Sequence, residues 1–139
     1  MQTDSEMSAV EKSSGGDNYQ ILVVDDEQGI RLSFKLLLER EGYGVSVVES
    51  GAVALAWFAE RKFDLVITDL SMPGMRGDEL ITRIRQLSPK QPIVMASGFV
   101  DESIVGQASN QVDAFLPKPF SLEALRQAVD QAVHRSATH

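Results

Sequence analysis

Five short apolar runs, each bounded by Gly, Pro or an acidic residue, alternate along this chain with segments of helical periodicity. The runs lie at residues 20–26, 44–50, 63–69, 91–97 and 112–118. They are rich in Val and Ile, so each predicts a β-strand. Strands that alternate with helices imply a parallel sheet that is covered by helices on both faces.

Between the runs, apolar residues recur with the period of a helix. The recurring residues are Ile30, Phe34, Leu37 and Leu38; Val53, Trp57 and Phe58; Leu80, Ile84 and Leu87; and Leu122, Leu125, Val129 and Val133. Residues 101–110 predict the weakest helix, because Gly106 lies in its interior. The expected fold is therefore α/β: a five-stranded parallel sheet of order 2-1-3-4-5, doubly wound with five helices.

The length of the chain suits one domain. It has 139 residues, of which 43% are hydrophobic, enough for a core at this size. Residues 1–18 are rich in Ser, Gly, Asp and Glu and predict a disordered polar tail. We expect one folded domain at 19–135 and a disordered end at 136–139.

The composition excludes several classes of function. With 13 Lys plus Arg against 20 Asp plus Glu, the net charge of −7 argues against nucleic-acid and anionic-membrane surfaces. No apolar run approaches the ~20 residues of a membrane span, and no signal peptide precedes the domain, so we expect a cytoplasmic protein. There is no cysteine, and the two histidines, His134 and His139, lie near the C-terminus, so thiolate and internal histidine sites are excluded. The glycine motifs of P-loop, dinucleotide-binding and α/β-hydrolase proteins do not occur.

Polar groups follow or close four of the predicted strands at their C-terminal ends. They are Asp25 and Asp26 after strand 1, Asp69 on strand 3, Ser97 on strand 4 and Lys118 on strand 5. Any one of them alone is better explained as a turn former, a helix cap or a solvated charge. Ligands of doubly wound sheets bind at this edge, in the crevice between strands 1 and 3, so the five groups predict a site there.

This set of groups suits phosphoryl chemistry with a metal ion. Three close carboxylates repel one another and require a cation. Oxygen ligands without His or Cys favour Mg²⁺, with Mn²⁺ as the alternative ion. A single lysine suits a phosphate, and an aspartate beside Mg²⁺ can attack phosphorus to give an aspartyl phosphate.

Four motifs follow one another along the chain: LVVDDE at 22–27, VITDLSMPGMRG at 66–77, the Ser97-Gly98 turn and FLPKPF at 115–120. With these motifs, the chain resembles the receiver domain of two-component response regulators over about residues 20–135. The resemblance implies the flavodoxin-like receiver fold. By motif position, it implies Asp69 as the phospho-acceptor, and Asp25, Asp26, Asp69 and the backbone carbonyl of Ser71 as ligands of Mg²⁺.

The resemblance also implies a switch. Ser97 would bond the phosphoryl group and Lys118 would pair with it, after a cis peptide bond to Pro119. Ser97 would move toward the acceptor on phosphorylation, and Phe115, at the position of the family's switch aromatic, would turn inward. Two departures are that Phe115 lacks the hydroxyl of the common tyrosine, and that Arg76 stands where the family often has Asp or Asn.

The implied function is a phosphorelay receiver that takes a phosphoryl group from a histidine kinase or histidine phosphotransfer protein. It would catalyse only its own phosphorylation and dephosphorylation. It would switch a face made of the fourth predicted helix, the fifth strand and the fifth helix for an unknown downstream protein or a homodimer. Whether the receiver stands alone or is part of a larger regulator or hybrid kinase is open.

Two alternatives remain. One is a protein-binding module that is never phosphorylated. The other, less favoured, is a Mg²⁺-dependent phosphatase with Asp69 as nucleophile. Such enzymes carry a second Asp two residues later, where this chain has Ser71, and they have a cap insertion that this chain lacks.

Overall fold

The computed structural model describes residues 19–98 and 111–137, in which five strands alternate with four helices. The strands are β1 (Gln20–Val24), β2 (Gly44–Val48), β3 (Leu65–Asp69), β4 (Ile93–Ser97) and β5 (Ala114–Pro117). The helices are α1 (Gln28–Arg40), α2 (Gly51–Glu60), α3 (Gly77–Leu87) and α4 (Leu122–Ala137). Each strand lies within a predicted run, and each helix contains a predicted apolar stripe.

The strands form one parallel sheet in the order β2-β1-β3-β4-β5, which confirms the predicted order. The register brings the strand ends into line: Val24 pairs with Val48 on one side and with Thr68 on the other. On the far side of the sheet, Ser97 pairs with Pro117. The C-terminal ends of the strands therefore share one edge.

Two apolar layers enclose the sheet. Ile21 and Val23 face the layer formed with α1 and α4, whereas Leu22 and Val24 face the layer formed with α2 and α3. Each buried side chain of this size contributes roughly 1.5–3 kcal/mol to folding. Because the central strands are buried on both faces, they read as continuous apolar runs and not as an alternating pattern.

Some predictions fall outside the described residues. The fifth predicted helix, at 101–110, lies there, and so does the predicted tail at 1–18. The last helix continues to Ala137, beyond the expected domain end at 135. Among the described helices, none combines the length and the apolar character that a membrane span requires.

The loop between β3 and α3 is fastened to the core. Gly74 turns the chain with a φ of 81°, a conformation that favours glycine. Met72 is buried in the layer under α2 and α3, and Met75 packs against the same layer. Ser71 stays exposed, so this loop presents its beginning at the strand edge while its far part packs inward.

Candidate functional site

Three carboxylates meet at the C-terminal edge of the sheet. Each of Asp25, Asp26 and Asp69 has an oxygen within 4.8 Å of one from each of the others. Asp25 and Asp69 are buried, with 1% and 6% of their surface exposed, whereas Asp26 is exposed. Like charges this close are costly without a cation, and a set of carboxylate oxygens is the donor type that hard divalent ions prefer. The described residues thus fit a metal ion of the predicted kind.

The position of Asp69 is fixed by its own backbone and by α3. The amide of Leu70 donates to Asp69 Oδ1 at 2.9 Å. The amide of Gly77, the first residue of α3, donates to the carbonyl of Leu70 at 2.9 Å. A Cβ on Gly77 would lie 2.0 Å from the carbonyl oxygen of Asp69, so only glycine allows this approach. The helix therefore begins directly against the backbone that carries the Asp69 carboxylate.

Lys118 reaches the acidic cluster from the end of β5. Its ammonium nitrogen lies 2.8 Å from Asp25 Oδ2 and 3.5 Å from Asp69 Oδ1. Its backbone amide donates to the carbonyl of Ser97 at 2.9 Å, which ties it to the end of β4. The Lys118–Pro119 peptide bond is cis, as the resemblance implied. The lysine thus offsets part of the negative charge of the two buried acids.

The buried Asp69 and the partly buried Lys118 shift each other's pKa. Burial is the largest influence on Asp69 and raises its pKa, with Asp25 adding to the rise and Lys118 opposing it. Burial acts to lower the pKa of Lys118, but its hydrogen bond to Asp25 and the charges of both acids outweigh this and raise it. Lys118 therefore remains an ammonium, and a cation at the site would favour the ionised form of Asp69.

An open cleft of ≈ 520 Å³ covers the cluster. Its lining consists of Asp26, Glu27, Ile30, Asp69, Ser71, Ser97, Gly98, Lys118 and Pro119. Asp25 does not line the cleft, but it pairs with Lys118, which does. Phe115 stands apart: it is half-buried and packs against the layer under α2 and α3. The structure thus brings all of the predicted site residues except Phe115 together around one cleft.

Two features of the site had no role in the sequence prediction. Gly77 enters the resemblance only as the last residue of the motif at 66–77, although its position immediately before a helical stripe signals the close contact that it makes. Arg31 donates from Nη1 to the backbone carbonyl of Asp25 at 2.8 Å, and no sequence signal distinguishes it from a solvated helix charge. Arg76, the residue directly before α3, pairs with the first turn of that helix: its Nε donates to Asp78 Oδ1 at 3.2 Å.

Comparison with known proteins gives one consistent family. Residues 21–130 match the response regulator receiver domain. The transcriptional regulatory protein GlrR of Escherichia coli (strain K12) is 38% identical over 119 residues, which are 84% of this chain but only 27% of that protein. This chain therefore spans about a quarter of that relative.

Solved structures agree with the sequence match. A receiver domain protein from Clostridium thermocellum is 29% identical, with a TM-score of 0.79 over 86% of this chain and 98% of that one. The response regulator TrrA from Thermotoga maritima, solved in complex with Mg(2+)-BeF, is 33% identical, with a TM-score of 0.76 over 82% of this chain and 98% of that one.

Proposed function

Because this chain belongs to the response regulator receiver domain family of two-component systems, we propose that Asp69 accepts a phosphoryl group from a phosphohistidine of a partner protein. The donor would be a histidine kinase or a histidine phosphotransfer protein. The observation that carries the proposal is the cluster of three carboxylates with Lys118 Nζ 3.5 Å from Asp69 Oδ1, at the floor of an open cleft.

In the proposed transfer, a carboxylate oxygen of Asp69 attacks the phosphorus in line with the leaving nitrogen. The nitrogen–phosphorus bond breaks, its electron pair stays on the imidazole of the donor, and an aspartyl phosphate forms. Lys118 is close enough to Asp69 to leave a carboxylate partner and pair with an oxygen of the phosphoryl group. The hydroxyl of Ser97, which lines the cleft, would donate to another oxygen.

The carboxylates of Asp25, Asp26 and Asp69 and the backbone carbonyl of Ser71 would hold Mg²⁺, or Mn²⁺ in its place. When bound, the ion neutralises charge on the transferring group and on the acids. The donor set on this chain supports the assignment, since it contains oxygen alone. TrrA, a relative of similar fold, was solved in complex with Mg(2+)-BeF.

The donor requires a docking face next to the cleft, and α1 offers one. α1 begins directly after the cleft-lining residues Asp26 and Glu27, and its Leu32 and Leu36 are 55% and 54% exposed, one helical turn apart. Neighbouring exposed leucines on a helix are typical of a partner surface. We assign this face to the phosphodonor.

The output is proposed to be a change of protein contacts. Movement of Ser97 and Phe115 would alter the face of β5, the last helix and residues 101–110, for a downstream protein or a second copy. Residues 101–110 lie outside the described residues. In this proposal the chain binds no nucleic acid directly, acts as an enzyme only on its own phosphoryl group and works in the cytoplasm.

The test is phosphorylation in vitro. Incubation with acetyl phosphate and Mg²⁺ should add the mass of one phosphoryl group, and peptide mapping should place it on Asp69. Asp69→Asn should abolish the adduct. The control Asp78→Asn, at an exposed side chain of α3, should leave it intact. Absence of any adduct on the wild-type chain would favour the unphosphorylated binding module, and sustained turnover of p-nitrophenyl phosphate would favour the phosphatase.

A further inference from the structure

Arg31 binds the peptide group that joins two residues of the acidic cluster. Its Nη1 donates to the backbone carbonyl of Asp25 at 2.8 Å, and the contact is partly buried. The carbonyl of Asp25 belongs to the planar peptide unit that continues into Asp26. A donor that holds this oxygen therefore fixes the plane from which both Asp25 and Asp26 project.

The remaining contacts of Asp25 make this bond important. Its amide donates to the carbonyl of Val48 at 3.1 Å. Its carboxylate is shared between the amide of Glu27, 2.9 Å from Oδ1, and Lys118, 2.8 Å from Oδ2. If Asp25 turns a carboxylate oxygen to a cation, the Lys118 contact weakens. The bonds of Val48 and Arg31 to the backbone do not involve the carboxylate and persist.

Arg31 is itself well placed to act as an anchor. Its amide donates to the carbonyl of Glu27 at 3.0 Å within the first turn of α1. The side chain thus returns from the helix to the end of β1 and closes the segment Asp25–Glu27 into a braced turn. Arginine in this role gives a charge-assisted bond, which is stronger than a bond between neutral groups.

We propose that Arg31 is a positioning residue for the divalent cation: it holds the Asp25–Asp26 peptide so that both carboxylates are aimed at the metal before it binds. The inference rests on the proposed function, since it concerns the same acidic site. Groups that orient metal ligands typically change metal affinity by about 10–100-fold when they are removed.

The sign of the effect separates positioning from charge. Removing a positive charge beside a cation site should tighten Mg²⁺ binding by Coulomb's law alone. Loss of positioning should weaken it. Arg31→Met keeps the apolar stem and removes all donors, so we expect the Kd for Mg²⁺ to rise by about tenfold. Arg31→Lys retains a donor and should restore most of the affinity.

The experiment is calorimetric titration of the full chain with MgCl₂ without any phosphodonor. Lys35→Met is the matched control, because Lys35 lies one turn further along α1 and pairs with Glu39 at the surface. The Lys35→Met variant should bind Mg²⁺ with a Kd equal to or slightly below the wild-type value. In amide NMR, Arg31→Met should also shift the Asp26 resonance, since the carbonyl that precedes that amide loses its donor.

Two results are decisive. A Kd for Arg31→Met that equals or falls below the wild-type value overturns the positioning role and leaves the proposed function intact. Failure of the wild-type chain itself to bind Mg²⁺ overturns the proposed function. Should Arg31→Met not fold by circular dichroism, Arg31→Gln is titrated instead, because its shorter side chain cannot span the same gap and predicts the same weakening.

Discussion

The ammonium of Lys118 lies 2.8 Å from a carboxylate oxygen of Asp25, a residue that is only 1% exposed. The two residues are 93 positions apart in the sequence. This ion pair compensates a buried negative charge in a site that is also suited to a metal ion. A bound metal ion would act on the same carboxylates as the lysine, so we expect their effects on stability to be linked.

We expect Lys118→Met to lower the free energy of unfolding by roughly 1–3 kcal/mol without Mg²⁺, because it leaves Asp25 and Asp69 uncompensated. Urea denaturation measures the change. Saturating Mg²⁺ should shrink the difference, since the cation replaces the lost charge. Lys35→Met, whose partner Glu39 is exposed, should cost less than about 1 kcal/mol in either condition. An equal loss with and without Mg²⁺ would contradict the linkage.

The raised pKa of Asp69 predicts a pH-dependent stability. The native state binds the proton of Asp69 more tightly than the unfolded chain does. Stability from this group is therefore full below the unfolded pKa of about 3.8 and is lost as pH rises through the higher native value. Asp69→Asn removes the cost of the buried charge.

Without metal, Asp69→Asn should thus be more stable than wild type at pH 7, with an advantage that fades toward pH 4. Thermal unfolding across this range measures it. Mg²⁺ should reverse the order, because it stabilises the wild-type carboxylate and has less to bind in the variant. A constant difference at all pH values would argue against the raised pKa.

The contact of Gly77 with the Asp69 carbonyl predicts a strong effect of one methyl group. Gly77→Ala places a Cβ 2.0 Å from a backbone oxygen that no side-chain rotation can move away. We expect the free energy of unfolding to fall by about 2–4 kcal/mol and Mg²⁺ binding to weaken, since α3 must shift away from the end of β3. Gly29→Ala, on α1 with no atom within 4 Å, is the control and should stabilise by about 0.5–1 kcal/mol. Similar outcomes for the two variants would contradict the contact.

Arg85 ties α3 to the loops at the opposite edge of the sheet. Its guanidinium donates to the carbonyls of Pro89, Gln91 and Gln111. Arg85→Met leaves the partly buried carbonyls of Gln91 and Gln111 without this donor. It should lower the free energy of unfolding, measured by urea denaturation, by about 2–3 kcal/mol.

The neighbouring residue Arg83 gives the matched control for Arg85. Arg83 pairs with Glu79 at 3.0 Å on the exposed side of the same helix. Arg83→Met should therefore cost no more than about 0.5 kcal/mol. Two variants of equal stability would show that the Arg85 bonds are exchanged for water without loss.

The sequence predicted the sheet well because its signals are local. Continuous apolar runs identify the strands, and the right-handed crossover restricts their order, which brings Asp25, Asp69, Ser97 and Lys118 to one edge. The contacts of Arg31 and Gly77 were not predicted, since they depend on the distance between elements. The periodicity of apolar residues along the chain does not specify the distance between two packed elements. The movement of Phe115 stays a prediction, since the structure contains one packing of this side chain, half-buried against the layer under α2 and α3.

The separation of Asp25 and Lys118 along the chain has a consequence for how the site arises. Its groups come from the first, third, fourth and fifth strands, so no contiguous piece of the chain shorter than most of the domain contains it. The three carboxylates come together when β1 pairs with β3, but Ser97 and Lys118 join them only when β4 and β5 are in place. The complete site should therefore appear only at the end of folding. A partly synthesised or clipped chain without β5 would keep the three carboxylates but lack Lys118, so we expect the proposed phosphoryl transfer to require the intact domain.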